Sequence, residues 1–333
     1  MSIKLLKGDD FYHQLLNEEE YNLYLAAINA LADKRYIVKE RFTYDENTFN
    51  DSLERVGNAI ILGHPELFYV RPEISSTYQN GEVQMVFDFI YDEDDIDEYN
   101  KVLNRNIDQI VDELSGINDP MELLYRLNEY LCLHFEGENC YTDDNGNAYG
   151  VTVHKMARCE GFCKVAKLVL NRFNINSIIV TGECKGYPHT WMAIMYKNQY
   201  YAFDFAHNCS YSTDRIAVPV FTFLDKETIS MDGRKEKYTY PITDDKSYLF
   251  WRLHKGEVNY LTDLANADVI SAEIDKYSIH HFADISKFTD YTPDDDMLDS
   301  WVANNCAPQV RGLYFAQSYI EDLHVLVVYY LAD

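Results

Sequence analysis

Cys159, His189 and Asp204 follow one another in a single stretch of the chain. A thiol can attack a carbonyl carbon, and an imidazole can take the thiol proton and pass it to a leaving group. A carboxylate can hold that imidazole in one orientation and tautomer, which completes a nucleophile, base and orienter. Cys159 opens the run Cys159-Glu-Gly-Phe-Cys163-Lys-Val-Ala-Lys-Leu-Val-Leu-Asn-Arg-Phe173. There Phe162, Val165, Ala166, Val169, Leu170 and Phe173 recur at the spacing of a helix burying one stripe. The thiol then lies at the helix N-terminal edge, where unpaired N–H groups and the positive dipole end favour a thiolate. Alone this is thin evidence, because free cysteine is among the most buried residue types.

The elements that must position the three residues are legible around them. Ser177 to Thr181 reads as a strand, and Thr190–Tyr196 and Gln199–Phe203 read as two more, joined in a hairpin at Lys197-Asn198. His189 opens one arm of that hairpin and Asp204 closes the other. With an even-numbered loop, opposed residues differ by an odd number, and 204 − 189 = 15. The two side chains are therefore expected on one face, within reach of a hydrogen bond. A helix packed on that face would bring the thiol at its tip to the imidazole.

Cys159-Glu-Gly-Phe, an amphipathic helix, a strand, His189-Thr-Trp and Tyr200-Tyr-Ala-Phe-Asp204 together resemble the core of the transglutaminase-like superfamily, most of all its bacterial members that look like cysteine peptidases. Asn139-Cys-Tyr141 and Ala148-Tyr-Gly150 stand where such sequences have an aromatic loop before the nucleophile. His64-Pro-Glu-Leu-Phe68 is similar to a segment found near their N-termini. The resemblance is specific from Tyr141 to Asp204, loose from Leu5 to Gly116 and absent after Asp225. It implies a papain-like α+β core with Cys159 as nucleophile, His189 as general base and acid, and Asp204 holding the imidazole. It also implies a peptide or protein substrate attacked at a peptide or glutamine-type amide, and no cofactor. The Cys159 N–H would hold the oxyanion, with Tyr141 as the upstream candidate, and Tyr149, Trp191 and His207 would line the substrate side. Hydrolysis is favoured over crosslinking, since water is always present and nothing marks a dedicated amine site. The chain departs from the pattern at Phe205-Ala-His207-Asn208, where members often continue Thr-Trp-Asp, and at Cys163, which replaces a small apolar residue. Cys163, one turn along the helix, reads as core.

Two other classes compete. Cys159, Cys163, Cys184 and His189 offer enough soft ligands for a zinc site, although a continuous helix pattern without a knuckle turn joins the first two and no CxxC pair exists. A catalytically inactive protein-interaction module on the same fold is the other, since about two thirds of the chain lies outside the core that carries the resemblance.

Composition bounds the rest. The 333 residues carry 29 Lys plus Arg against 55 Asp plus Glu, a net charge of −26. Such a surface repels duplex nucleic acid and anionic membranes, so neither is an expected partner. Seven scattered cysteines do not read as a disulfide framework. The first ten residues hold no apolar leader and no later run suits a membrane span, which places the expected compartment in the cytoplasm. Oligomeric state is left open.

Three regions are drawn: an N-terminal α+β region (1–118), the transglutaminase-like core (119–235) and a C-terminal α+β region (236–333). Within the first, helices are expected at about Leu15–Lys34 and Thr48–Ile61, followed by a hairpin turning at Asn80-Gly81. The acidic run Asp92 to Glu98 then starts a helix; it lacks the glycine and distal glutamate of a calcium loop. A further helix covers Met121 to His134. The last region reads as a mixed segment at Ile270–Ile274, an acidic loop Pro293–Asp296, a helix at Met297–Asn304 and a strand at Leu323–Leu331.

Overall fold

A computed structural model describes residues 10–38, 42–43, 49–79, 82–212, 221–231 and 233–248, a few single residues beside them, and the backbone of three later strands. In chain order the elements are α1 (Asp10–Gln14), α2 (Glu18–Ala32), β1 (Phe42–Thr43), α3 (Phe49–Ile61), β2 (Val70–Gln79), β3 (Glu82–Phe89), α4 (Ile96–Leu114), α5 (Pro120–His134), β4 (Glu136–Gly137), α6 (Ala148–His154), β5 (Met156–Ala157), α7 (Cys159–Arg172), β6 (Ser177–Cys184), β7 (Tyr187–Tyr196), β8 (Gln199–Phe203), α8 (Phe205–Tyr211), α9 (Lys226–Met231), β9 (Arg234–Glu236), β10 (Ile279–Asp284), β11 (Tyr314–Ile320) and β12 (Val325–Leu331). The pairs β1·β3, β2·β3, β6·β9, β10·β12 and β11·β12 are antiparallel, the two-residue pair β4·β5 is parallel, and the class is α+β.

The chain forms two compact units. The first uses the residues up to Asp119 with 134–180 and 190–195, and the second uses 120–133, 181–189 and the described residues from Tyr196 onward. The four-stranded sheet runs in the order β8-β7-β6-β9, with β9 antiparallel to β6.

In the first unit α2 begins with a capping box: the Asn17 side chain accepts from the Glu20 N–H and Glu20 accepts from the Asn17 N–H, both at 2.9 Å. Glu20 also accepts from Arg55 of α3 at 2.5 Å, which ties the first two long helices together. The hairpin β2·β3 pairs Gln79 with Glu82, and the expected turn residues Asn80 and Gly81 lie outside the described residues. Met85 and Phe87 are buried on one face of β3. In α4, Ile96, Leu103, Ile107, Ile110 and Leu114 form the buried stripe.

His64-Pro-Glu-Leu-Phe68 follows α3 and is buried throughout. The Tyr24 hydroxyl bonds His64 Nε2 at 2.6 Å, and His64 Nδ1 bonds Glu66 at 2.8 Å. Leu67 and Phe68 enter the core. The segment is thus a buried polar chain between two apolar anchors.

The expected single stripe on α7 is corrected by the structure, because every residue from Gly161 to Leu170 is buried. The helix packs against α4, α6 and β5 of its own unit. Its two lysines lie inside because each has a partner there: Lys164 pairs with Glu160 at 2.5 Å, and Lys167 donates to the Ser177 carbonyl at 2.7 Å.

Near the C-terminus, β10, β12 and β11 form an antiparallel sheet in that order, running from Ile320↔Val325 to Tyr314↔Leu331 along β11·β12. Only its last strand was expected. The expectations for 270–274, 293–296 and 297–304 lie outside the described residues. Among the described residues no helix is long and apolar enough to cross a membrane.

Candidate active site

The hairpin β7·β8 fixes one pair of candidate residues. Lys197 and Asn198, its two loop residues, have φ of 47° and 63°. Both are left-handed, as a two-residue turn matched to the twist of its strands requires. His189, near the start of β7, and Asp204, the residue after β8, are joined by a 2.6 Å hydrogen bond between Nε2 and Oδ2. Asp204 has a second task. Its Oδ1 accepts the His207 N–H at 3.0 Å, which caps the N-terminus of α8.

A third partner was not expected. Arg234, on the short strand β9, donates to Asp204 Oδ2 from Nη2 at 2.6 Å and from Nε at 3.2 Å. Both side chains are sealed from solvent, at 0% and 1% exposure. Nη2 of Arg234 also meets His207 Nδ1, and the His207 ring stacks on His189 with centroids 4.9 Å apart. Burial works against ionisation of Asp204, but His189, His207 and Arg234 hold its carboxyl well below the usual carboxylate range. His207 is pushed down to about 4, chiefly by burial and with help from Arg234, His189 and Lys185 against the pull of Asp204. Since guanidinium only donates, His207 presents an acceptor to Arg234 and stands neutral at pH 7.

An anionic Asp204 makes Nε2 of His189 the protonated nitrogen. Nδ1 is then the ring position able to accept a proton from a thiol or a water.

His189, Asp204 and His207 also place three metal-capable atoms within 4.8 Å of one another. Arg234 argues against that use, because its guanidinium already binds the Asp204 oxygen and the His207 nitrogen that an ion would need. Among the described residues that group contains none of Cys159, Cys163 and Cys184.

In the first unit Cys159 is the first residue of α7 and is half-buried. What holds this end of the helix is the preceding loop. Asn145 donates to the Cys140 carbonyl at 2.6 Å, and its own carbonyl accepts the Arg158 N–H at 2.9 Å. Gly161 lets that loop lie on the first turn of α7: a Cβ there would stand 2.3 Å from the Asn145 oxygen and 2.7 Å from Val151 Cγ2. Gly150 plays the same part, since a Cβ would meet the Asp144 oxygen at 2.3 Å. The glycine of Cys-Glu-Gly is therefore required by close backbone approach.

Tyr141 is 55% exposed, with the Arg158 guanidinium 5.0 Å from its ring. Tyr149 lies on α6 and not in a loop; Asn147 caps that helix by accepting the Gly150 N–H at 2.8 Å. The Tyr149 ring stacks on Tyr99 at 4.6 Å and touches Phe68 and Tyr91. Trp191 is fully buried, a core residue rather than a substrate-facing one, and Cys163 is buried as read. Asp204-Phe-Ala-His207 shows the cap-plus-three spacing that would have announced α8. No motif marks Arg234.

No protein-family model matches the chain, and no curated protein matches it significantly. Two solved structures are similar over part of their length. A candidate cysteine protease from Cytophaga hutchinsonii is 12% identical, with 40% of this chain and 61% of that one covered and a TM-score of 0.29. A TGase is 16% identical, with 51% and 50% covered and a TM-score of 0.28. The chain spans less than two thirds of the length of either.

Proposed function

We propose that the chain is a transglutaminase-like cysteine enzyme acting on peptide or glutamine-type amides, with Cys159, His189 and Asp204 as its triad. The observation that carries the reading is the 2.6 Å bond from His189 to Asp204, a carboxylate held anionic against its burial by His189, His207 and Arg234. Cys159 at the first turn of a buried helix, and the resemblance of Cys159-Glu-Gly-Phe, His189-Thr-Trp and Tyr200-Tyr-Ala-Phe-Asp204 to that superfamily, support it.

In this reading Nδ1 of His189 takes the Cys159 proton and the thiolate adds to the amide carbonyl carbon. The oxyanion is held by the Cys159 N–H. The C–N bond breaks as the imidazolium gives its proton to the leaving amine, leaving a thioester on Sγ. His189 then deprotonates a water, which attacks the thioester and returns a carboxylic acid and the free thiol. An amine in place of water would give a crosslink, and hydrolysis is favoured.

Mass spectrometry of a peptide library incubated with the protein tests both parts. Cleaved or deamidated peptides that disappear with Cys159→Ala are expected. Crosslinks without hydrolysis products would reverse the choice of acceptor, and products that persist in Cys159→Ala would remove the enzyme assignment.

A further inference from the structure

Within the second unit, α5 and α8 present two reduced thiols to each other. Cys132 Sγ and Cys209 Sγ lie 3.1 Å apart. The surrounding contacts hold the two helices in that register. Asn208 Nδ2 donates to Asn128 Oδ1 at 2.7 Å, and Asn208 Oδ1 accepts the Phe221 N–H at 2.8 Å. This buried amide pair sits one residue before Cys209 on α8 and one turn before Cys132 on α5, so the sulfurs meet because the helices are already locked beside them. A disulfide of about 2.0 Å needs only about 1 Å of closure from there, within the reach of side-chain rotation.

We propose that Cys132 and Cys209 are a redox pair that closes an intrachain disulfide between α5 and α8. With a peroxide as oxidant, the half-buried Cys209 reacts first, giving a sulfenic acid and one water. The Cys132 sulfur then attacks the Cys209 sulfur, the S–O bond breaks and a second water leaves, so two thiols and one peroxide become one disulfide and two waters. Burial and the neighbouring Cys132 push the Cys209 thiol well up from its ordinary value. Isolated attack at neutral pH is therefore slow, and the second thiol at 3.1 Å is what commits the oxidation to a disulfide.

The bond would fix α8, whose N-terminal cap is Asp204 and whose first turn carries His207. Oxidation state thus bears on the rigidity of the helix beside the His189–Asp204–Arg234 cluster. The proposal does not depend on the triad reading, and its test uses the Cys159→Ala protein so that a failure of one leaves the other standing.

Reduced Cys159→Ala protein is treated with hydrogen peroxide, its remaining thiols are alkylated, and unreduced peptides are mapped. A Cys132–Cys209 linked peptide is expected as the main oxidised species, with a melting temperature raised by several degrees and restored by dithiothreitol. Adding Cys132→Ser should divert Cys209 to sulfinic acid and abolish the shift. Recovery of both cysteines as alkylated thiols, or Cys209 paired with any other cysteine, overturns the proposal. Linked peptide without a shift in melting temperature overturns the part that concerns α8.

Discussion

Replacing Arg234 by Met removes the cation from a sealed cluster and leaves the Asp204 charge behind. Asp204 Oδ2 accepts from Arg234 at 2.6 and 3.2 Å and from His189 at 2.6 Å, with both members of the arginine pair at or below 1% exposure. Stripping one partner from a buried ion pair costs about 3–5 kcal/mol, because the other charge stays out of water with less to balance it. An exposed pair would cost under about 1 kcal/mol. The assay is urea unfolding followed by fluorescence and circular dichroism, with coincident transitions required before a single free energy is extracted. The double variant Asp204→Asn/Arg234→Met removes both charges and should lose less than the sum of the single losses by about 0.5–3 kcal/mol. The sign with pH follows from the depressed Asp204 carboxyl: its contribution is present above about pH 4, the unfolded value, and is lost only as pH falls through the lower folded value. Arg234→Met should therefore show its full loss at pH 7 and begin its acid unfolding at a higher pH than the parent. A loss below about 1 kcal/mol at pH 7, or strict additivity in the double variant, would refute the reasoning.

Gly161→Ala should destabilise the first unit by at least about 1–3 kcal/mol, because its Cβ would stand 2.3 Å from the Asn145 oxygen; hydrogen exchange should localise the loosening to 140–147. His207, pushed down to about 4 from 6.5, binds its proton less readily folded than unfolded. Stability should fall as pH drops from 6.5 towards 4, by about 3 kcal/mol in all, and His207→Gln should flatten that slope in calorimetry across the window. Tyr24→Phe should cost about 1–3 kcal/mol in thermal melts by stripping the buried His64 nitrogen of its 2.6 Å partner.

Period and turn chemistry carried much of the local structure. Leu103, Ile107, Ile110 and Leu114 announce α4, and Lys197-Asn198 with the parity of 189 and 204 places a histidine beside a carboxylate. These features are readable because they rest on neighbours in sequence. The largest thing that escaped rests on a partner far along the chain. Arg234 reaches Asp204 from thirty residues away on a three-residue strand with no pattern of its own, and a buried arginine looks like a surface one in sequence. The inward lysines of α7 disguised a helix buried all round: Lys164 is paired within the helix by Glu160 four residues earlier, and Lys167 finds the Ser177 carbonyl only in the fold. Gly150, a poor helix residue, hid α6, whose Asn147 cap supplies what the propensity lacks. Asp204 is read in sequence as the histidine partner, and its second oxygen also caps α8.

Peptide-resolved alkylation by iodoacetamide at pH 7 tests the proposed nucleophile most directly. Cys159 should react faster than each of the other six cysteines of the chain, and His189→Asn should slow it at least tenfold while leaving exposed Cys140 unchanged. A Cys159 that reacts no faster than Cys140, or at the same rate with and without His189, would contradict the account.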